Sequence, residues 1–183
     1  IINDLNFQSI DVITKFGFKN EYNIYMKNLN TIGKNDSLYK SSPQMELMSI
    51  FEVNTSLPMI NQTKKNINYL TPKASIRFNP GDMKDYTSSD RSINVDGIFD
   101  INRLAIDDSF EEGKSLTLGV DYKKTKLNDI NKFFEAKIAT VYRDKNEKFI
   151  PQSSGINGKD TNIFGSISNN LSDTLNISYN FIL

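Results

Sequence analysis

Apolar and polar residues alternate along most of the chain with the two-residue period of a β-strand. Between residues 115 and 123, for example, leucine, valine and tyrosine fall on one face, and serine, threonine, aspartate and lysine fall on the other. The segments with strong alternation are 18–27, 45–54, 70–78, 115–123, 134–143 and 174–183, and weaker alternation covers 5–13 and 161–168. The pattern predicts about eight antiparallel strands and no sustained helix.

The connections between these segments alternate in length. Those at 14–17, 124–132 and 169–173 are short, that at 57–68 is intermediate, and those at 28–44, 79–113 and 145–160 are long. In an up-and-down meander, the long connections would therefore gather at one end, which is typical of outer-membrane barrels. Several strands also reach the roughly 9–11 residues that a tilted strand needs to cross a bilayer. We interpret the chain as an all-β antiparallel up-and-down meander of a transmembrane outer-membrane β-barrel.

Two other architectures produce the same two-faced strands. A soluble carbohydrate-binding β-sandwich would bury its apolar faces against one another. A complete small outer-membrane barrel, porin-like or an anchor, would pair its first strand with its last. A transmembrane helix is excluded, because no run of about 18 apolar residues occurs.

Composition removes several classes of function. The chain contains no histidine and no cysteine, so it cannot by itself form a histidine-based triad, a thiolate nucleophile or a Cys/His zinc site. Basic and acidic residues are equal in number, at 22 each, whereas nucleic-acid binding requires a basic surplus. We therefore expect no enzymatic activity, no catalytic residues, no resident metal or cofactor, and no nucleic-acid partner.

Both termini suggest a segment of a longer protein. The chain opens on Ile1 rather than methionine, and it stops within an apolar run at residues 180–183. We expect residues 1–183 to be a single segment of a barrel domain, truncated at both ends.

A collinear set of short motifs resembles one family. The sequence FDINRL at 99–104 is followed by DDSFEEG at 107–113, GVDY at 119–122 and PQSSGI at 151–156. In this order they resemble the C-terminal barrel of the lipopolysaccharide-assembly outer-membrane protein family, LptD (OstA). Further short matches at 3–5, 56–58 and 70–73 extend the resemblance over nearly the whole chain.

The resemblance implies that the chain is part of a large transmembrane outer-membrane β-barrel, and it also implies a location and partners. Members of the family sit in the outer membrane of Gram-negative bacteria, receive lipopolysaccharide from a periplasmic bridge protein through an N-terminal domain, and insert it into the outer leaflet. No covalent bond changes in that process. The implied partners are lipopolysaccharide, outer-membrane lipid, the bridge protein and a plug lipoprotein of the LptE type.

The longest connection carries the candidate site. Its family-motif residues, expected to have a structural role and a possible contact with lipopolysaccharide or a cation, are Asn102, Arg103, Asp107, Asp108, Glu111 and Gly113. The acidic members, with Glu112, have the oxygen ligands that divalent cations prefer, although a solvated loop explains them as well. If the connection folds back over the lumen, a buried Arg103 would require a carboxylate, and Asp100, Asp107 and Asp108 are nearest in sequence.

The alternation also assigns side chains to two environments. The polar residues expected to face the lumen are Lys19, Glu21, Lys73, Arg77, Asp121, Lys137 and Arg143. The aromatic residues expected to face lipid are Tyr22, Phe51, Phe78, Tyr122, Phe134, Tyr142, Tyr179 and Phe181. In a soluble sheet the aromatic residues would simply form the core.

Overall fold

A computed structural model describes residues 1–35, 40–159, 162–172 and 174–183. The chain forms a single antiparallel sheet of ten strands. The strands are β1 (Ile2–Gln8), β2 (Val12–Ile13), β3 (Lys19–Thr31), β4 (Gln44–Ser56), β5 (Met59–Gln62), β6 (Asn66–Asn79), β7 (Gly113–Lys126), β8 (Asp129–Arg143), β9 (Ile163–Ser172) and β10 (Leu175–Ile182). Within the described ranges, the only helical element is a 3-10 turn at Gln152–Ser154, and no helix is long and apolar enough to cross a membrane.

The strands follow each other as an up-and-down meander, as the alternation predicts. The order across the sheet is β1-β3-β4-β6-β7-β8-β9-β10. Strand β2 continues the line of β1 along β3, and β5 continues the line of β4 along β6. The ten strands therefore occupy eight positions, in agreement with the predicted number. Strands β1 and β10 do not pair and form two open edges, so the sheet is not the closed small barrel considered above.

Several predicted boundaries are wrong. Residues 28–31, 59–62, 66–68 and 169–172 were expected in connections but lie in β3, β5, β6 and β9, and the weak strand at 5–13 is divided into β1 and β2. These segments are rich in asparagine, so their apolar alternation is weak, and they are held in strands by backbone pairing with their neighbours. The connection around 57–68 shrinks to a three-residue turn. Residue 161, the predicted start of a strand, lies outside the described residues, and β9 begins at Ile163.

The two faces of the sheet have different environments. One face, called the exposed face, keeps its apolar side chains open: Ile138 is 48% exposed and Tyr142 is 45% exposed. The opposite face, called the covered face, lies beneath two long loops. The described residues form no second sheet that could bury the exposed face, so the soluble sandwich is also not the observed architecture.

The hydrophobic core lies between these loops and the covered face. We call residues 80–112 the covering loop and residues 144–159 the second loop. The covering loop contributes six buried apolar side chains, the second loop two, β8 two and β9 one; they are Met83, Ile93, Val95, Ile98, Leu104, Ile106, Ile150, Ile156, Ala139, Val141 and Phe164. Burial of this apolar surface holds both loops on the sheet. The longest connection of the chain is thus part of its core.

Candidate functional site

An ion network buried beneath the covering loop joins the loop to the sheet. Its centre is Glu111, whose side chain is 4% exposed. Nε of Arg103 donates a hydrogen bond to Oε2 of Glu111 over 2.6 Å, and Arg103 and Arg143 each donate another to Oε1. Nη1 of Arg77 lies 3.4 Å from Oε2. One carboxylate therefore meets three of the four arginines in the chain.

Arg77 extends the network to a second carboxylate. The register places Glu52 of β4 directly opposite Arg77 of β6 on the covered face. Nε of Arg77 donates to Oε2 of Glu52 over 3.2 Å, and Nη2 donates to the same oxygen. Both side chains are nearly fully buried. The network thus contains three guanidinium groups and two carboxylates, and its remaining N–H groups require neutral acceptors.

Hydroxyl and carbonyl oxygens supply those acceptors. Arg103 donates to Oγ1 of Thr117 over 2.9 Å and to Oγ of Ser115 over 3.1 Å, both on β7. Arg143 donates from Nε to the carbonyl oxygen of Ile156 in the second loop. These contacts use the fixed fork of five donors that arginine offers and lysine lacks. The network ties both loops to β4, β6, β7 and β8.

The charges in the network stabilise one another. Burial alone would raise the pKa of Glu111, but the positive charges of Arg103, Arg143 and Arg77 outweigh it and hold that pKa well below the usual range. Burial lowers the pKa of Arg103 to about 10 against the opposing charge of Glu111, so the guanidinium stays protonated at neutral pH. Removing one partner from such a network leaves an uncompensated buried charge, which costs about 3–5 kcal/mol.

The next residue, Glu112, lies in surroundings that disfavour its charged form. Burial raises its pKa, and the negative charge of Glu147 raises it further. One oxygen of each of these two carboxyl groups is buried without a hydrogen-bond partner among the described residues. Lys145 lies 3.2 Å from the other oxygen of Glu147 and 4.0 Å from Glu112. The surroundings therefore stabilise the charged form of Glu111 and destabilise that of Glu112, although the two residues are adjacent.

Gly113 allows Glu147 to reach this position. Its φ is +79°, which an L side chain adopts only with strain, and a Cβ at this position would lie 1.8 Å from Oε1 of Glu147. Gly113 begins β7, so the close approach lies where the covering loop enters the sheet. Both the backbone conformation and the close approach of Glu147 favour a glycine here.

The other predicted loop residues have separate partners. The side chain of Asn102 exchanges two hydrogen bonds with the backbone of Ile106, at 2.9 and 3.1 Å, and so closes a turn within the loop. Asp107 is exposed. Asp108 accepts hydrogen bonds from Lys84, at 3.3 Å, and from Tyr86.

One expectation for this loop is wrong. The partner of Arg103 is Glu111, not Asp100, Asp107 or Asp108, because the loop turns back on itself between residues 103 and 111. The acidic side chains of the loop have different surroundings: Glu111 contacts arginines, Asp108 contacts Lys84 and Tyr86, and Asp107 is exposed. The described residues contain no group of three or more acidic side chains placed to hold a metal ion.

Sequence reasoning missed two members of the site, Glu52 and Glu147. Glu52 belonged to a polar strand face, but only the register between β4 and β6 reveals that it meets Arg77. Glu147 lies in a loop without periodicity, so no pattern indicated its burial. The only available signal was the scarcity of arginine in a lysine-rich chain, which singles out positions where lysine cannot replace it.

The residues assigned to two environments lie on two faces of the sheet. The covered face carries Lys19, Glu21, Lys73, Arg77, Asp121, Lys137 and Arg143. Among them, Lys73 forms an ion pair with Asp121, and Lys137 forms one with Asp96 of the covering loop at 2.7 Å. The exposed face carries Tyr22, Phe51, Phe78, Tyr122, Phe134, Tyr142, Tyr179 and Phe181.

Comparison with known families agrees with the motifs in the loop. The family model described as LPS transport system D, LptD, matches residues 4–183, which is essentially the whole chain. No curated protein matches the sequence. The family match includes the covering loop, strands β2 to β10 and all but the first two residues of β1. The chain therefore belongs to the LptD family of lipopolysaccharide transport proteins.

Proposed function

We propose that this chain is a segment of the barrel through which lipopolysaccharide reaches the outer leaflet of the outer membrane in a Gram-negative bacterium. The observation that carries the proposal is the family match over residues 4–183. The open, two-faced sheet supports it, because strands with one apolar and one polar face are what a large membrane barrel requires. Further strands would pair with β1 and β10 to close that barrel.

The exposed face is proposed to contact lipid. Its aromatic and aliphatic side chains remain open over the entire meander, and in water such an extended apolar surface would promote aggregation. The aromatic side chains of Tyr22, Phe51, Tyr142 and the others on this face fit the interfacial girdles of membrane barrels. This assignment fits the outer-membrane location that we propose.

The covered face is proposed to line a polar lumen. Its charged and amide side chains would accompany the sugars of lipopolysaccharide, while the lipid portion stays in apolar surroundings. The covering loop, fixed through Arg103 and Glu111, would form part of the lumen wall at the end with long loops. No bond changes in this transport, so the role of the residues is to shape and solvate a route.

The proposed partners follow from the family. They are lipopolysaccharide, outer-membrane lipid, a plug lipoprotein of the LptE type that fills the wide lumen, and a periplasmic bridge protein that contacts a separate N-terminal domain. Energy for transport would be supplied elsewhere in the machinery.

Depletion of the intact protein tests the proposal. Surface lipopolysaccharide would be labelled during depletion, with the abundance of an unrelated outer-membrane barrel as the control. We expect surface labelling to fall before the control barrel declines, and a plasmid copy of the wild-type gene to restore it. Unchanged labelling after complete depletion would contradict a role in lipopolysaccharide export.

A further inference from the structure

Lysine residues collect at the short-turn end of the sheet. Residues 63–66 and 123–132, which contain the turns before β6 and after β7, carry six lysines and one aspartate. The covering loop, which joins the opposite ends of the same two strands, carries nine acidic and three basic residues. The chain as a whole is neutral, so its charges are separated along the strands. Short turns lie on the periplasmic side of outer-membrane barrels, so the basic end faces the inner leaflet.

Two of these lysines lie where the apolar part of the exposed face ends. The register between β6 and β7 places Lys124 and Lys126 after Tyr122 on that face. The ring of Tyr122 packs against Phe134, with 6.3 Å between the ring centroids. The hydroxyl of Tyr122 donates a hydrogen bond to Oδ1 of Asn68 over 3.0 Å. A polar, basic band therefore begins directly beyond these two rings.

The turn before β6 adds two more lysines at the same place. The backbone N–H of Leu127 donates to the carbonyl oxygen of Lys65 over 2.9 Å, so this turn lies beside the end of β7. We call the four exposed lysines of the two turns the lysine rim: Lys64, Lys65, Lys124 and Lys126. No carboxylate of the described residues lies within 4 Å of their ammonium groups, and Asp129 is paired with Lys132 at 2.8 Å. The rim is therefore a concentration of positive charge without a counter-charge in this part of the chain.

A cleft of about 250 Å³ opens beside the lysine rim. Lys124 and Lys126 contribute to its lining, together with the apolar side chains of Phe134 and Leu171. Both apolar side chains lie on the exposed face, where Phe134 is 37% and Leu171 is 49% exposed. The cleft thus places accessible ammonium groups next to an open apolar surface. This combination suits an amphiphile with an anionic head and acyl chains that extend along the sheet.

We propose that the lysine rim and this cleft bind the phosphate of an anionic phospholipid in the inner leaflet, an inference that rests on the proposed function. The ammonium groups donate hydrogen bonds to the phosphate oxygens, and clustered lysines attract an anionic bilayer surface. At the other end of β7 the exposed face carries a single lysine, Lys114, whose Nζ lies 5.5 Å from the centre of the Phe78 ring. The rim therefore fixes which end of the sheet meets anionic phospholipid.

Photocrosslinking of the purified full-length protein in vesicles tests the proposal. The vesicles would contain phosphatidylcholine and a minor share of phosphatidylglycerol, equal in both leaflets, so that a difference between the two ends of a strand reports on the protein. A photoreactive amino acid would replace one of three residues on the exposed face of β9: Leu171 beside the cleft, Ile167 in the middle or Ile163 at the long-loop end. The lipid in each adduct would be identified by mass spectrometry.

We expect phosphatidylglycerol to be enriched about threefold or more in the adducts at residue 171, relative to its share of the vesicle. The adducts at residues 163 and 167 should follow the composition of the vesicle. Adducts at residue 171 that also follow that composition would overturn the lipid site and leave the proposed function intact. The absence of lipid adducts at all three positions would instead contradict the proposed membrane barrel itself.

A charge-neutral variant tests the role of the lysines. The double variant Lys124→Gln and Lys126→Gln keeps two polar side chains but removes two positive charges, and Lys114→Gln is the matched control at the other end of β7. We expect the enrichment at residue 171 to disappear in the double variant and to remain in Lys114→Gln. Undiminished enrichment in the double variant would show that these lysines do not bind the head group, and this would overturn the proposal.

Discussion

Arg103 and Glu111 lie eight residues apart in one loop and meet in a buried ion pair, with Nε of Arg103 2.6 Å from Oε2 of Glu111. The pair closes the segment between them into a compact turn, and Arg77 and Arg143 bind the same carboxylate from β6 and β8. Glu111 therefore joins the long loop to the sheet through arginines of two strands. This arrangement explains why a connection without secondary structure contributes to the core.

Neutralising Glu111 should destabilise the protein. In Glu111→Gln, three buried arginines lose their common counter-charge, and we expect the free energy of unfolding to fall by about 3–5 kcal/mol. The measurement is denaturant unfolding of the full-length protein in detergent, with limited proteolysis of the covering loop as a local readout. Glu112→Gln is the neighbouring control, and it should be neutral or stabilising because that carboxyl is destabilised when charged. Equal effects of the two substitutions would contradict the described network.

The two neighbouring glutamates should give opposite pH dependences. The pKa of Glu111 is lowered, so its contribution to stability is present above its ordinary value of 4.5 and is lost as pH falls through the depressed pKa. The pKa of Glu112 is raised, so its contribution is present below 4.5 and is lost as pH rises through the raised pKa. Unfolding measured against pH should therefore show wild type losing stability relative to Glu112→Gln above pH 4.5. The difference in stability between wild type and Glu111→Gln should instead narrow as the pH falls below about 4.5.

Gly113→Ala should lower the stability of the protein more than Gly17→Ala does. Gly17 has a similar φ of +86°, but a Cβ there would meet nothing closer than 3.6 Å. Gly17→Ala should therefore lower the free energy of unfolding only by the cost of backbone strain, about 1–2 kcal/mol. Any further decrease in Gly113→Ala measures the steric overlap with Glu147. We expect Glu147→Ala to recover part of that additional loss in the double variant. Equal thermal shifts for the two glycine variants would show that Glu147 does not occupy this position.

Strand positions and faces could be predicted from the sequence, but the partners within the loop could not. The alternation from Leu116 to Tyr122 predicts both the strand and the exposed side of each residue, because the side-chain period in a strand is strictly two. Arg103 was assigned to the wrong carboxylates because an irregular loop has no such period, and nearness in sequence was the only guide. The contact between Glu52 and Arg77 depends on strand register, which the alternation within a single strand does not specify.

A lysine introduced on the exposed face should lower the stability of the protein by an amount that depends on how deep in the bilayer the residue lies. Ile138 lies at the middle of β8, whereas Ile130 is 70% exposed near its short-turn end. If this face contacts lipid, Ile138→Lys should reduce stability by about 2–4 kcal/mol and Ile130→Lys by no more than about 1 kcal/mol. Unfolding from lipid vesicles measures both. Small, equal costs would indicate that the face is solvated by water.

The lipid contact of one face and the solvation of the other can be measured directly at adjacent residues. The chain contains no cysteine, so spin labels can be attached in this segment at Ile138→Cys on the exposed face and Lys137→Cys on the covered face. Accessibility to oxygen and to a water-soluble nickel complex would be compared for the full-length protein in a bilayer. We predict that oxygen reaches the label at residue 138 preferentially and that the nickel complex reaches the label at residue 137. Preferential access of the nickel complex to residue 138 would contradict the assignment of this sheet to a membrane barrel.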